Sequence, residues 1–341
     1  MRSSSRRRFA FILPMAACAA AVSPSTASAV QVTVTGDDNA PLALGGPVVI
    51  RNMSPAVAIA AGVDEQFYFR ATYGAPDGVA AASALPCSRG GTRGLEYRGN
   101  GRYTASVERF SDSSCGQSAG PPLVYGFTLN AGVALAAPQG RVLIRDPNSY
   151  GPRTIMLRAT PNPGAVAHEV RYALGGVVGA TGAISGASES TVLDTTTGTV
   201  PLNVSVPGRY TIVARARGSW TPTGQYFSPW SAPVHVRAVA PFDLASVSFA
   251  DGLGPSYEMS VQVRERSARG RVYVSCARGY RGGRYRSLGS ARLSSSATFS
   301  KRFTLRKLGV YRLRFRFNGS ATTASGTVVE AARFTRIMYG L

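Results

Sequence analysis

The residues best equipped for chemistry in this chain are arginines. Arg312, Arg314 and Arg316 alternate with Leu313, Phe315 and Phe317. On an extended strand the three guanidinium groups then leave one face at a spacing of ~6.7 Å. Upstream, Arg278, Arg281, Arg284 and Arg286 interleave with Tyr280 and Tyr285 on a backbone carrying Gly279, Gly282 and Gly283. A guanidinium offers a phosphate or carboxylate two parallel N–H donors, and a tyrosine ring adds a stacking surface. The chemistry is recognition of anions, with wall polymer, acidic polysaccharide, lipid headgroups or extracellular DNA as candidate partners. An arginine-skewed composition, 36 Arg against 2 Lys, also produces such charge as plain solvated surface, and both readings stand at this stage.

Other tempting groups fail on context. Gly116-Gln117-Ser118-Ala119-Gly120 matches the G-x-S-x-G spacing of a nucleophile elbow, which needs a strand before it and a helix after it. Pro121-Pro122 follow directly and forbid that helix. His168-Glu169 carries Tyr172 where a second zinc-binding histidine would stand, and Val166, His168, Val170 and Tyr172 share one strand face. His235 is the second of only two histidines. Asp37-Asp38-Asn39 reads as a polar turn, with calcium between modules as the alternative. Glu96 with Glu108, and Glu258 with Glu265, are the carboxylate pairs to inspect for glycan or ester hydrolysis. No catalytic residue, metal site or cofactor is assigned.

The elements around these residues are short strands. The 38 Gly and 21 Pro among 341 residues punctuate apolar runs such as 67–72, 154–160, 166–174, 234–239, 257–263 and 299–305. None of the runs holds a helical period, so an all-β chain is expected. Gly101-Arg102-Tyr103-Thr104 recurs as Gly208-Arg209-Tyr210-Thr211 and Gly309-Val310-Tyr311-Arg312. Val133 to Pro138 resembles Val236 to Pro241. Repetition at about a hundred residues predicts tandem antiparallel β-sandwiches over 30–138, 139–241 and 242–341, with Pro138 and Pro241 in the linkers.

The N-terminus reads as a cleaved signal peptide over 1–29. Arg2, Arg6, Arg7 and Arg8 precede an apolar stretch from Phe9 to Val22, and Ala27-Ser28-Ala29 offers a cleavage site. Ser5 to Phe9 resembles the twin-arginine export pattern, and Met15 to Cys18 resembles a weak lipobox that would lipidate Cys18. No apolar run in the mature chain is long enough to span a membrane as a helix. Export leads to an oxidising compartment, where Cys87 and Cys115 would pair as a disulfide and Cys276 would remain a buried thiol on the face of Val272 and Val274.

Asn100 to Tyr103 resembles the stretch that enters strand F of immunoglobulin-like domains. The resemblance implies that Tyr103, Tyr210 and Tyr311 are structural tyrosines whose hydroxyls tie back to the chain. Pro207 to Arg215, with Ser228-Pro229-Trp230-Ser231, is similar to the last strands of a fibronectin type III domain.

Formal charge is unevenly placed. It is −1 over 30–138, +5 over 139–241 and +13 over 242–341, out of +21 for the chain. These features together predict an exported bacterial protein, extracellular or associated with the cell envelope, that presents surfaces without catalysis as a spacer, adhesive or binding module. A polyanion-binding protein with a basic third domain is the alternative, and a secreted hydrolase the weakest one. Partners would be an anionic envelope polymer, a polysaccharide or another surface protein, not intracellular nucleic acid.

Overall fold

The computed structural model describes residues 30–62, 66–185, 189–194, 197–221, 224–251 and 256–335. The expected signal peptide over 1–29, with its twin-arginine-like pattern and Cys18, lies outside them. The chain is all-β, with tandem antiparallel sandwiches and no helix among the described residues.

In the first unit, one sheet runs Pro41–Ala43, Val30–Thr35, Ala56–Ala61, Gly90–Gly94. The other runs Val49–Ile50, Leu123–Leu129, Gly101–Phe110, Tyr68–Gly74, Leu85–Ser88. Alternation decides which side chains go inside: along Gly101–Phe110, Tyr103, Ala105 and Val107 are buried while Thr104 and Ser106 are half-exposed. Cys87 and Cys115 form a disulfide closing a separation of 28 residues. The third unit pairs Leu244–Asp251, Ser256–Val263 and Thr298–Thr304 in one sheet. Its other sheet runs Arg286–Arg292, Arg271–Arg278, Gly309–Phe317, Gly326–Phe334.

The second unit corrects the boundary read from sequence. Ala134–Ala136, assigned to the end of 30–138, pairs antiparallel with Ile155–Thr160 and so opens the following sandwich. Pro138 is not a linker residue. It breaks a strand that changes sheets, since Arg141–Leu143 then pairs in parallel with Val234–Val239. A residue without an amide donor suits the point where one ladder ends and another begins. The likeness of 133–138 to 236–241 therefore joins a first strand to a last one.

The three tyrosines make the same bond in each unit. Tyr103 donates to the Gly99 carbonyl (3.1 Å), Tyr210 to Val206 (2.9 Å) and Tyr311 to Lys307 (2.7 Å), each four residues upstream. Each ring is buried in the core, so the bond gives its hydroxyl the partner that burial demands.

Neighbouring units touch through named bonds. Between first and second, the Met53 amide donates to the Pro163 carbonyl (2.8 Å), the Ser54 hydroxyl to Gly164 (2.8 Å) and Tyr226 to the Asp77 carboxylate (3.1 Å). Most buried apolar residues between Val30 and Ala238 form one continuous cluster across that junction, those from Phe242 to Phe334 form another, and Ala173, Ile184 and Val213 make a small third one. Between second and third, Ala240 and the segment Thr322–Ala324 exchange two backbone bonds (2.9 and 2.8 Å). There the Tyr150 ring also lies within cation–π range of Arg145 (4.9 Å) and Arg264 (5.2 Å).

His168 sits beside the first of these junctions. Its Nε2 accepts from the Asn162 amide (2.9 Å), the Asn162 side chain donates to Gly132 (3.2 Å), and His168 Nδ1 is buried without a partner. Burial lowers its pKa below the ordinary histidine value. The unfolded chain therefore binds this proton more readily than the folded one. His168 contributes stability that is complete above about pH 6.5 and is lost as pH falls through the lower folded value. We expect the unfolding midpoint to drop on acidification through that window, and the drop to shrink in His168→Gln. An identical pH profile in both chains would remove His168 as its source.

Candidate functional site

The outer face of one sheet of the third unit brings together four of the residues singled out in the sequence, Arg312, Arg314, Arg316 and Tyr285. Tyr311, Leu313, Phe315 and Phe317 are buried, which turns Arg312, Arg314 and Arg316 outward in a row. The register sets their neighbours. Arg316 stands opposite Tyr273, Arg314 opposite Ser275 and Arg312 opposite Ala277 on one side; Thr327, Val329 and Ala331 flank them on the other. Arg314 Nε donates to the Ser275 hydroxyl (3.2 Å).

Two rings hold the row. Tyr285 lies under Arg314 (4.2 Å to the ring centre) and Arg312 (5.4 Å), and Tyr273 under Arg316 (5.3 Å). Tyr285 comes from the glycine loop, where Gly279, Gly282 and Gly283 take φ of 90°, 68° and 83°, a region costly for other residues. Those positive angles let the loop turn back over the sheet. Each ring favours a guanidinium position close to it before any ligand arrives.

The rest of the Arg–Tyr loop does not join the row. Tyr280 is 72% exposed and Arg281 and Arg284 are exposed. Arg278 braces the neighbouring turn by donating to the Leu308 carbonyl (3.3 Å), and Arg286 stands opposite the buried Cys276. Burial pushes the Cys276 thiol up, with Arg286 opposing, so it is held as the thiol rather than the reactive thiolate. Sequence reasoning missed Tyr273, and also Arg271, Arg292 and Arg333, which extend the outer face at its two ends. Strand parity pointed Tyr273 outward, but only the register places it beside Arg316.

The sheet opposite is electrically different. Arg302 pairs with Glu258 (3.1 Å), and Arg264 beyond it with Asp243 (2.7 Å). Among the described residues no ion pair involves Arg312, Arg314 or Arg316. Asp243, Asp251, Glu258 and Glu265 belong to the other sheet and its ends, and Glu330 alternates away from the arginine face on its strand.

The remaining candidates have structural partners. Asp112 accepts from the Ser114 hydroxyl and the Gly116 and Gln117 amides, which pull its carboxyl down to about 2. In the same loop Ser118 donates to the Gly120 carbonyl (2.9 Å). Asp37 accepts from the Arg51 and Asn52 amides. Glu108 pairs with Arg70, Glu96 with Arg98, and Glu265 binds the Ser267 hydroxyl. In the second unit, Glu169 bridges Arg171 and Arg215 (both 2.6 Å), and Arg215 lies over Phe227 (3.9 Å) and Trp230 (4.4 Å). That stack clamps the segment whose Ser228 and Ser231 hydroxyls accept the Ala216 and Ala214 amides.

No protein-family model matches the chain, and no curated protein matches it. Among solved structures it is similar to the FN1–FN3 domains of chicken CNTN1, at 11% identity over 85% of this chain and 97% of that one, with a TM-score of 0.22. It is also similar to a tetra-tandem repeat in the extending region of a large adhesion protein, at 12% identity over 90% and 91%, with a TM-score of 0.31. At these scores the strand order and register of the chain itself define the fold.

Proposed function

We propose that this chain is an exported, non-catalytic bacterial protein that presents surfaces at the cell envelope, as a spacer, adhesive or binding module. The observation that carries the reading is the pair of bonded junctions. Backbone hydrogen bonds at 53–163 and 240–324, with the Tyr226–Asp77 and Tyr150 contacts, hold successive sandwiches against one another. Such a chain sets a distance and an orientation. The inspected carboxylates support the reading, since each is engaged by a neighbour: Glu108 by Arg70 and Glu258 by Arg302 across strands, Glu96 by Arg98 and Glu265 by Ser267 within a loop.

Expression from Met1 in a bacterial host, followed by fractionation and mass spectrometry, tests it. The expected product is outside the cytoplasm and begins at Val30. Recovery in the cytoplasm with residues 1–29 attached would overturn the export on which the reading depends.

A further inference from the structure

We infer that the outer face of the third unit, along Arg312, Arg314 and Arg316, binds an extended single-chain phosphodiester polymer through its backbone. The inference rests on the binding-module reading above but can fail while that reading stands. Charge complementarity is the first argument. This row has no carboxylate partner among the described residues, although the opposite sheet neutralises Arg302 with Glu258. Arg271, Arg292 and Arg333 continue the same sign at its ends. A field of one sign with no internal neutralisation is matched by a polyanion.

Spacing is the second argument. Alternate strand residues put the guanidinium groups ~6.7 Å apart. An extended chain advances about 1.2 Å per bond. The roughly six bonds between successive phosphorus atoms of a sugar or polyol phosphodiester then span about 7 Å, so each phosphate meets one arginine. Carboxylates of a two-fold polyuronate point alternately to opposite sides, and every second one would face away.

The third argument concerns what is not read. Tyr273 and Tyr285 already carry guanidinium groups, so their rings serve to orient arginine rather than to stack bases. Tyr280, the freely exposed ring, stands apart from that stack. Recognition is therefore of the charged backbone.

The test uses the mature chain and a short abasic oligodeoxyribonucleotide, with oligothymidylate, oligogalacturonate of equal charge and anionic vesicles as comparisons. Three neutralised phosphates give a log–log salt slope of about −2, or about twentyfold weaker binding between about 50 and 200 mM salt. The abasic strand and oligothymidylate should bind within about threefold of each other, with a slope falling by about 0.7 for each arginine changed to glutamine. Arg312→Gln, Arg314→Gln and Arg316→Gln together should remove about 2 from the slope, whereas Arg302→Gln and Tyr280→Ala should leave it unchanged. A slope insensitive to the triple change, equal or tighter binding of oligogalacturonate, binding only to vesicles, or strong preference for the strand with bases would each overturn the inference. Thermal unfolding of each variant confirms that the sheet persists.

Discussion

Replacing Cys87 and Cys115 together with serine is expected to destabilise the chain by about 3–4 kcal/mol, the entropy of leaving a loop of this size open in the unfolded state. The bridge spans 28 residues and both partners lie in the first unit. The informative part is where the loss appears. Most buried apolar residues between Val30 and Ala238 form one cluster, so the first and second units are expected to unfold in one transition and the third in another. Calorimetry of the double serine chain should move the first transition down by about 10 °C, given the size of that cooperative block, and leave the second in place. Three separate transitions, with only one shifted, would mean that the first two units do not share their stability.

Gly164→Ala is expected to cost about 2–5 kcal/mol and to loosen the first junction. Gly164 has φ of +72°, a left-handed conformation that costs an alanine about 1–2 kcal/mol. A methyl group there would also lie 2.2 Å from Asn52 Oδ1 and 2.7 Å from the Ser54 amide nitrogen. Asn52 can shift, but backbone cannot, so overpacking adds about 1–3 kcal/mol. Next to Asn52, Met53 and Ser54 are the residues that bond across the junction. Gly140→Ala is the control: its φ is +78°, and an added methyl group meets nothing within 4 Å. Calorimetry should show a lowered or divided first transition for Gly164→Ala and only a small shift for Gly140→Ala. Equal effects would reduce Gly164 to a strained turn without a coupling role.

The parts of this architecture written in local sequence are those set by alternation. The run 234–239 is a strand with those limits, 257–263 starts one residue after its strand does, and 299–305 is shifted by one residue from its strand. Apolar side chains on every second position leave one way to bury them. Pro138 shows the limit of local sequence, since it lies between two strands of the same unit. A proline ends a strand whether a linker or a second sheet follows, and only the partner strand distinguishes the two. Long-range register is similarly silent: Arg312, Arg314 and Arg316 were visible as a row, but Tyr273 joins them through strand pairing and Tyr285 through a glycine loop folding back. Gly164 carries no local sign of its role, because the atoms that require glycine there are more than a hundred residues away in the chain.

Successive sandwiches bonded to one another would be held in fixed series, with the arginine face in the last of them. Electron–electron double resonance between spin labels at Val124→Cys in the first unit and Leu308→Cys in the third measures that most directly. Both positions are exposed, and the native thiol Cys276 is buried. We expect a single narrow distance distribution that does not change with salt. A broad or multi-peaked distribution would contradict it, showing units that swing independently despite the contacts at Gly164 and Ala240.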